Sequence, residues 1–236
     1  MTQLALEMQS SIDAWAEKLW LESKLAQLTR SGALSERALA LYLESLRFLF
    51  HHSQRNLAAA STRARALGDE RLADIFAAKA SEEAGHDQWA SRDLSGLTPS
   101  AISGIEPAAG SRRLVELQRE LIMEHHPLCF FAYSLWAEYM TVRLGDAWLN
   151  ALASNGYART SVTAVANHVD ADREHAAEGF AVLDQLWDGQ PERALILRSV
   201  ERAQALFEAF CDEIYLAAVS VEQRVTSAHS GNPGRK

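Results

Sequence analysis

Cysteine is nearly absent: Cys129 and Cys211 are the only two in 236 residues. They form no CxxC pair and no zinc-type spacing. That excludes a disulfide scaffold and makes a reducing cytoplasm the expected compartment. Glycine (12) and proline (5) are few and clustered, so little interrupts the chain. No segment alternates with the period of a strand. No apolar run approaches the roughly 20 residues that span a bilayer, which excludes a membrane helix. Met1–Ser10 lacks the basic and apolar regions of a signal peptide. Long basic runs are missing too, and the formal net charge is −8. Nucleic acid and anionic membrane are therefore not expected partners.

What is present favours helix. Alanine, leucine, glutamate and arginine dominate, and 48% of residues are hydrophobic. Seven helices are predicted, in one domain over residues 1–226. The first runs from about Leu4 to Thr29. The second, capped by Ser35, runs from Glu36 to Leu67, and the third from Asp69 to Asp93. Leu94–Gly110, with Pro99 and Pro107, reads as the one long loop. A fourth helix starts near Ser111 and stops at Pro127. The fifth spans Leu128–Ala153. Thr160 or Ser161 caps a sixth that ends near Gly189, and the seventh ends near Val225. Residues 227–236 form a polar tail expected to be disordered.

The chemistry is concentrated in His168-Val-Asp-Ala-Asp172-Arg-Glu-His175. On a helix, His168, Asp172 and His175 fall within about 60° of one another. Two nitrogen ligands and one oxygen ligand on a single stripe suit a divalent transition metal, iron above all. The stripe continues as Ala164, Val182 and Leu186, which favours burial. Other helices offer partners. Glu83 and His86 stand at i, i+3 among Ala80, Ala84 and Gly85, with Glu82 as a rival ligand. Glu138 is the only acid in the apolar run Cys129–Met140, where a buried carboxylate must be paired or bound to metal. Its alternative is a salt bridge, for example to Arg143. Glu44 is the only acid in Leu41–Phe50. His51, His52, His125 and His126 read as helix or turn residues with satisfied ring nitrogens. Three histidines and three or four carboxylates suit two iron ions, with manganese as the alternative. Tyr42, Tyr133, Tyr139, Trp89 and Trp136 are candidates to line a pocket.

His168-x3-Asp172-x2-His175, the earlier Glu82-Glu83-Ala-Gly-His86-Asp-Gln-Trp89 and the intervening Glu138 resemble, in that order, the signature of the heme-oxygenase-like diiron oxidases. The resemblance covers roughly Leu41 to Leu186. It implies a single-domain, all-α, seven-helix heme-oxygenase-like bundle. It implies iron ligands at His86, Glu138, His168, Asp172 and His175, with Glu83 as an additional carboxylate and Glu44 as the carboxylate of the first core helix. Members of that family use ferrous iron and dioxygen to cleave C–C bonds of amino or fatty acids, to oxygenate nitrogen, or to rework a side chain of the enzyme itself. An external reductant and a small organic substrate are the implied partners, and a homodimer is compatible with a helical domain of this size.

Three rival readings follow from the same residues. A ferritin-like diiron four-helix bundle would use Glu44, Glu83-x-x-His86, Glu138 and Asp172-x-x-His175 but leave His168 without a role. A metal-free thiaminase-type hydrolase would use Cys129-x3-Tyr133, yet Cys129 lies in an apolar run that does not activate a thiol. A non-enzymatic helical scaffold would bind no metal.

Overall fold

Helix formers fill most of the chain. The computed structural model, which describes residues 3–230 and side chains as far as Ser220, contains no strand among those residues. The helices are α1 (Gln3–Glu22), α2 (Lys24–Arg30), α3 (Glu36–Ala66), α4 (Glu70–Glu82), α5 (Asp87–Ser95), the single turn α6 (Pro99–Ile102), α7 (Ala109–Met123), α8 (Pro127–Ser154), α9 (Thr163–Leu186) and α10 (Arg193–Ser230). The seven expected helices are all present, and two of them are broken. The first is cut at Ser23, whose backbone is extended (φ −60°, ψ 129°). The third is cut after Glu82 by a turn in which Gly85 takes φ +86°, a left-handed conformation that glycine adopts without steric cost. The last helix runs to Ser230, past its expected end near Val225. Residues 231–236, the rest of the expected tail, lie outside the described residues.

Local side-chain caps set the starts of α3 and α4. The Ser35 hydroxyl accepts from the Ala38 amide and the Asp69 carboxylate from the Leu72 amide. The start of α9 differs from the expectation of a cap at Thr160 or Ser161. Those residues form a 3-10 turn, and the cap comes from another helix. Asp93 of α5, buried, accepts from the Thr163 hydroxyl at 2.6 Å and from the Ala164 amide at 2.7 Å. A carboxylate satisfies the free N–H groups of a helix start and complements its dipole. Asp93 thereby ties α5 to α9.

The central helix α3 packs along α4, α5 and α7, while α8 packs along α9 and α10. Helices α1 and α2 lie against α8 and α10. Phe76, Phe130, Phe131, Trp136 and Phe210 are fully enclosed between these layers. Burial of each such side chain contributes about 1.5–3 kcal/mol. Asn155 closes one end: its side chain accepts from the Leu34 amide and donates to the Thr29 carbonyl.

Two features carry testable consequences. A Cβ on Gly145 of α8 would lie 2.2 Å from Cγ2 of Val169 on α9. Gly145→Ala is expected to force the two helices apart and destabilise the protein by about 1–3 kcal/mol, the usual cost of overpacking. The readout is a lower urea midpoint at unchanged m-value, and an unshifted midpoint would show that the seam yields without strain. Between α7 and α10, both Arg202 nitrogens grip the Glu120 carboxylate, at 2.6 and 2.7 Å. That contact brings the Glu120 carboxyl down from 4.5 to about 2. A lowered carboxyl pKa stabilises the fold fully above the ordinary value and loses that contribution as pH falls through the folded value. The stability difference between the native protein and Glu120→Gln should therefore shrink between about pH 4.5 and pH 2. A difference that stays constant across that window would contradict the role of the pair.

Candidate metal centre

The stripe on α9 faces inward. Ala164, Val165, His168, Asp172 and His175 all line one cavity of about 230 Å³, bounded also by α1, α2, α3, α4, α7, α8 and α10. Its walls are largely apolar and aromatic, with Leu46, Leu49, Phe130, Met140, Trp148 and Phe207 among them. Glu83 from the end of α4 and Glu138 from α8 also border it.

Three ligand atoms come together. One each from Glu83, His86 and His168 lie within 4.8 Å of one another, the only such group among the described residues. Two ligands at about 2.1 Å from one ion stand at most about 4.2 Å apart, so small side-chain rotations suffice to close the group on a cation. The break between α4 and α5 makes this possible. Glu83 and His86 were expected at i, i+3 on one continuous helix. Instead Glu83 ends α4, His86 precedes α5, and the Gly85 turn folds one beside the other. His86 Nδ1 lies 3.4 Å from Glu83 Oε2.

The histidines are held by stacking and by one fixed tautomer. Nδ1 of His168 lies 2.7 Å from the Ala164 carbonyl oxygen. A carbonyl only accepts, so this nitrogen carries the proton and Nε2 presents its lone pair. The His168 ring lies flat on Phe50 of α3, with centroids 4.1 Å apart and an interplanar angle of 13°. His86 stacks on Trp89 at 4.0 Å, and Trp89 presents an edge to His168 at 5.3 Å. Imidazoles fixed by a backbone carbonyl and by packing are the usual support of metal ligands.

His168 Nε2, His86 Nδ1 and Glu138 Oε2 are buried without a hydrogen-bond partner, as are the ring nitrogens of Trp136 and Trp148 in the cavity wall. Unpartnered buried donors and acceptors are destabilising, by about 1–3 kcal/mol each. The two imidazole nitrogens, on residues that cluster with Glu83, have the donor chemistry that fits a divalent transition ion.

A second polar group adjoins the first. Glu138 receives a short hydrogen bond from Nζ of Lys79, both side chains being largely buried. Lys79 is the counter-ion here, whereas Arg143 pairs with Asp13 at 2.6 Å. Burial, aided by the Asp172 carboxylate, holds the Glu138 carboxyl above its ordinary value although Lys79 opposes this. Asp172 is buried, and its Oδ1 stands 3.8 Å from His175 Nδ1. Asp172 raises the His175 imidazole above its usual value, and burial acts against it. For Glu83 burial pushes upward, but contacts with His86 and His168 outweigh it and the carboxyl sits low. Glu82, the rival ligand, is half exposed and 3.8 Å from His175 Nε2.

Other expected site residues lie elsewhere. Glu44 is gripped by Arg47 through two bonds of 2.7 and 2.6 Å and does not line the cavity. The residues of α3 that do are Tyr42, Leu46, Leu49, Phe50, Ser53 and Leu57. At about 100° per residue their face is roughly opposite Glu44, so the first core helix brings no carboxylate to the centre. Tyr42 and Tyr133 border the cavity, and burial raises both hydroxyls, that of Tyr133 to about 12. Tyr133 accepts from Gln118, which in turn accepts from Asn56. Tyr139 does not line the cavity. Its hydroxyl donates to Asp13 and accepts from Gln9 at the α1–α8 seam. The four remaining described histidines have local roles. His51 contacts Asp87, His52 packs on Phe48, His125 contacts Glu120, and His126 accepts from the Leu128 amide. Cys129 is fully buried and off the cavity, and burial pushes its thiol up to about 11.

Lys79, Phe50 and Asp93 are supporting residues beyond those expected from the sequence, and Trp89, expected to line a pocket, stacks on His86 instead of lining the cavity. Lys79 was detectable, because it stands four residues before Glu83 on the same helical face. The roles of Phe50 and Asp93 depend on contacts between distant helices and leave no local signal.

The geometry predicts that Co²⁺ binds to the native protein and that His86→Ala and His168→Ala each lower its affinity at least about tenfold. Glu44→Gln should leave it unchanged. Isothermal titration separates these outcomes, and equal affinities in all four proteins would dismiss the cluster.

No protein-family model matches this sequence, and no curated protein matches it significantly. Solved structures similar to it along nearly their whole length include the following two. A domain of unknown function with a heme oxygenase-like fold from Shewanella denitrificans superposes with a TM-score of 0.80 at 18% identity, covering 98% of this chain and 97% of that one. A TenA homolog from Pseudomonas syringae pv. tomato gives 0.71 at 15% identity, covering 90% and 91%. At such identities the likeness establishes architecture alone, and the ferritin-like four-helix alternative is set aside. The chain has an all-α, heme oxygenase-like fold.

Proposed function

We propose that this protein is a non-heme iron enzyme that uses dioxygen to oxidise a small organic substrate. The observation that carries the reading is the convergence of one ligand atom each from Glu83, His86 and His168 beside an apolar cavity, with His86 Nδ1 and His168 Nε2 buried and without a hydrogen bond. Mixed imidazole and carboxylate donors suit iron, and manganese next. Glu83, His86 and His168 would hold a first ion, and Glu138, Asp172 and His175 a second. When bound, ferrous iron supplies electrons and open coordination positions for dioxygen.

The chain's own residues define the rest of the task. The carboxylates offset the charge of the bound ions. Largely apolar walls limit the access of water to the site. The cavity of about 230 Å³ takes a compact, mostly apolar molecule, since an apolar cavity of about 150 Å³ holds benzene. Buried Gln118 and Tyr133 border it and offer polar groups for orienting such a molecule. An external reductant would restore the ferrous state.

The TenA homolog raises the thiaminase-type alternative. The position of Cys129 speaks against it, because a fully buried thiol with a raised pKa, outside the cavity, is a poor nucleophile.

Anaerobic ferrous titration followed by a pulse of oxygen tests the proposal, with absorbance and Mössbauer spectroscopy as readouts. Bound iron should oxidise with consumption of dioxygen, and His168→Ala should abolish both binding and uptake. Protein that takes up no iron, or binding unaffected in His168→Ala and His175→Ala, would end this reading.

A further inference from the structure

Lys79 is an unusual neighbour for a cation site. Its ammonium lies in the cavity wall, hydrogen-bonded to Glu138 Oε1, with both side chains only 16% exposed. It shares a face of α4 with Glu83, one turn away. Around the Lys79–Glu138 pair stand Asp172 and His175, and both interact with the Glu138 carboxylate. Glu138, Asp172 and His175 are the groups left over once Glu83, His86 and His168 are assigned to one ion. Only that first group has its ligand atoms within mutual reach among the described residues.

A buried carboxylate requires a compensating positive charge. For Glu138 the chain provides one covalently. A lysine ammonium and a metal ion are alternatives at such a position, because two cations sharing one carboxylate repel strongly in a low-dielectric setting. The cavity face of α3 supplies no acid that would offset an additional cation.

We propose that the Lys79 ammonium occupies the position of the second ion, so that one ion binds tightly at Glu83, His86 and His168 and a second enters only when Lys79 releases Glu138. The inference rests on the metal-binding reading given above. Lys79 thus sets the stoichiometry of the centre.

The test is stepwise Fe²⁺ binding under anaerobic conditions, with stoichiometry from elemental analysis and affinities from calorimetry. The native protein should bind one equivalent tightly and a second at least about tenfold more weakly. Lys79→Met, similar in length but uncharged, should bind the second equivalent about tenfold or more tightly than the native protein does, with the first affinity little changed. Lys79→Arg keeps the charge and should retain the native pattern. Lys79→Met leaves Glu138 without its counter-ion, so its metal-free form should melt lower and regain more stability from Fe²⁺ than the native protein regains. That gain also distinguishes a folded variant from a damaged one. Two equally tight ions in the native protein, or a Lys79→Met protein with native stoichiometry and affinities, would overturn the role of Lys79 while leaving the iron-enzyme reading intact. A native protein that binds no Fe²⁺ at all would overturn that reading, and the role of Lys79 with it.

Discussion

Carboxylates inside an apolar bundle must be neutralised, and this requirement organises the centre of the molecule. Glu83, Glu138 and Asp172 all border one cavity with mostly hydrocarbon walls. Taking such groups out of water is unfavourable by several kcal/mol each unless positive charge and hydrogen bonds replace the lost hydration. Histidines from α9 and from the α4–α5 turn, together with Lys79, are what the fold brings to them. Helix placement follows from the same need. The Gly85 turn brings His86 beside Glu83, the Asp93 cap fixes the start of α9, and the Gly145–Val169 contact holds α9 close to Glu138.

Much of this arrangement was legible in the residues. Helix content, the absence of strands and the inward face of the His168–Asp172–His175 stripe follow from composition and period. The burial of Cys129–Trp136 follows from an apolar run on all sides of α8. The heme oxygenase-like architecture, anticipated from motif order, is matched by structures that share under a fifth of their residues with this chain. Where reading by period failed, the cause was a break or a rotation. Glu83 and His86 keep the spacing of a helix but sit across a turn, since Gly85 alone does not disclose whether it interrupts or terminates. Glu44 looked isolated among apolar neighbours. The apolar residues on its own side and those facing the cavity are separated only once tertiary packing picks a face, and Arg47 lies within reach to satisfy it.

The partners of the buried groups were the least legible part. Arg143 was a reasonable counter-ion for Glu138, at i+5 on the same helix, but it turns to Asp13 of α1. Lys79 is 59 residues from Glu138 in the chain, and only the packing of α4 near α8 unites them. Asp93, read as the end of a helix, serves as the beginning of another one 70 residues later. Long-range pairs of this kind depend on the assembled bundle and leave no trace in local spacing.

The Asp93 cap has a consequence for how the centre moves. The segment from Glu83 to Asp93 contains two of the clustered ligands, the Trp89 ring that stacks on one of them, and the carboxylate that anchors the helix bearing the third. Only one seam, between this segment and the first turns of α9, therefore has to part for the cluster to disperse. Such a seam can open as a cooperative unit while the core around Phe76, Phe130 and Trp136 stays closed. A cation gripping both sides would act as a clasp, converting a hinge at the edge of the bundle into part of its frame.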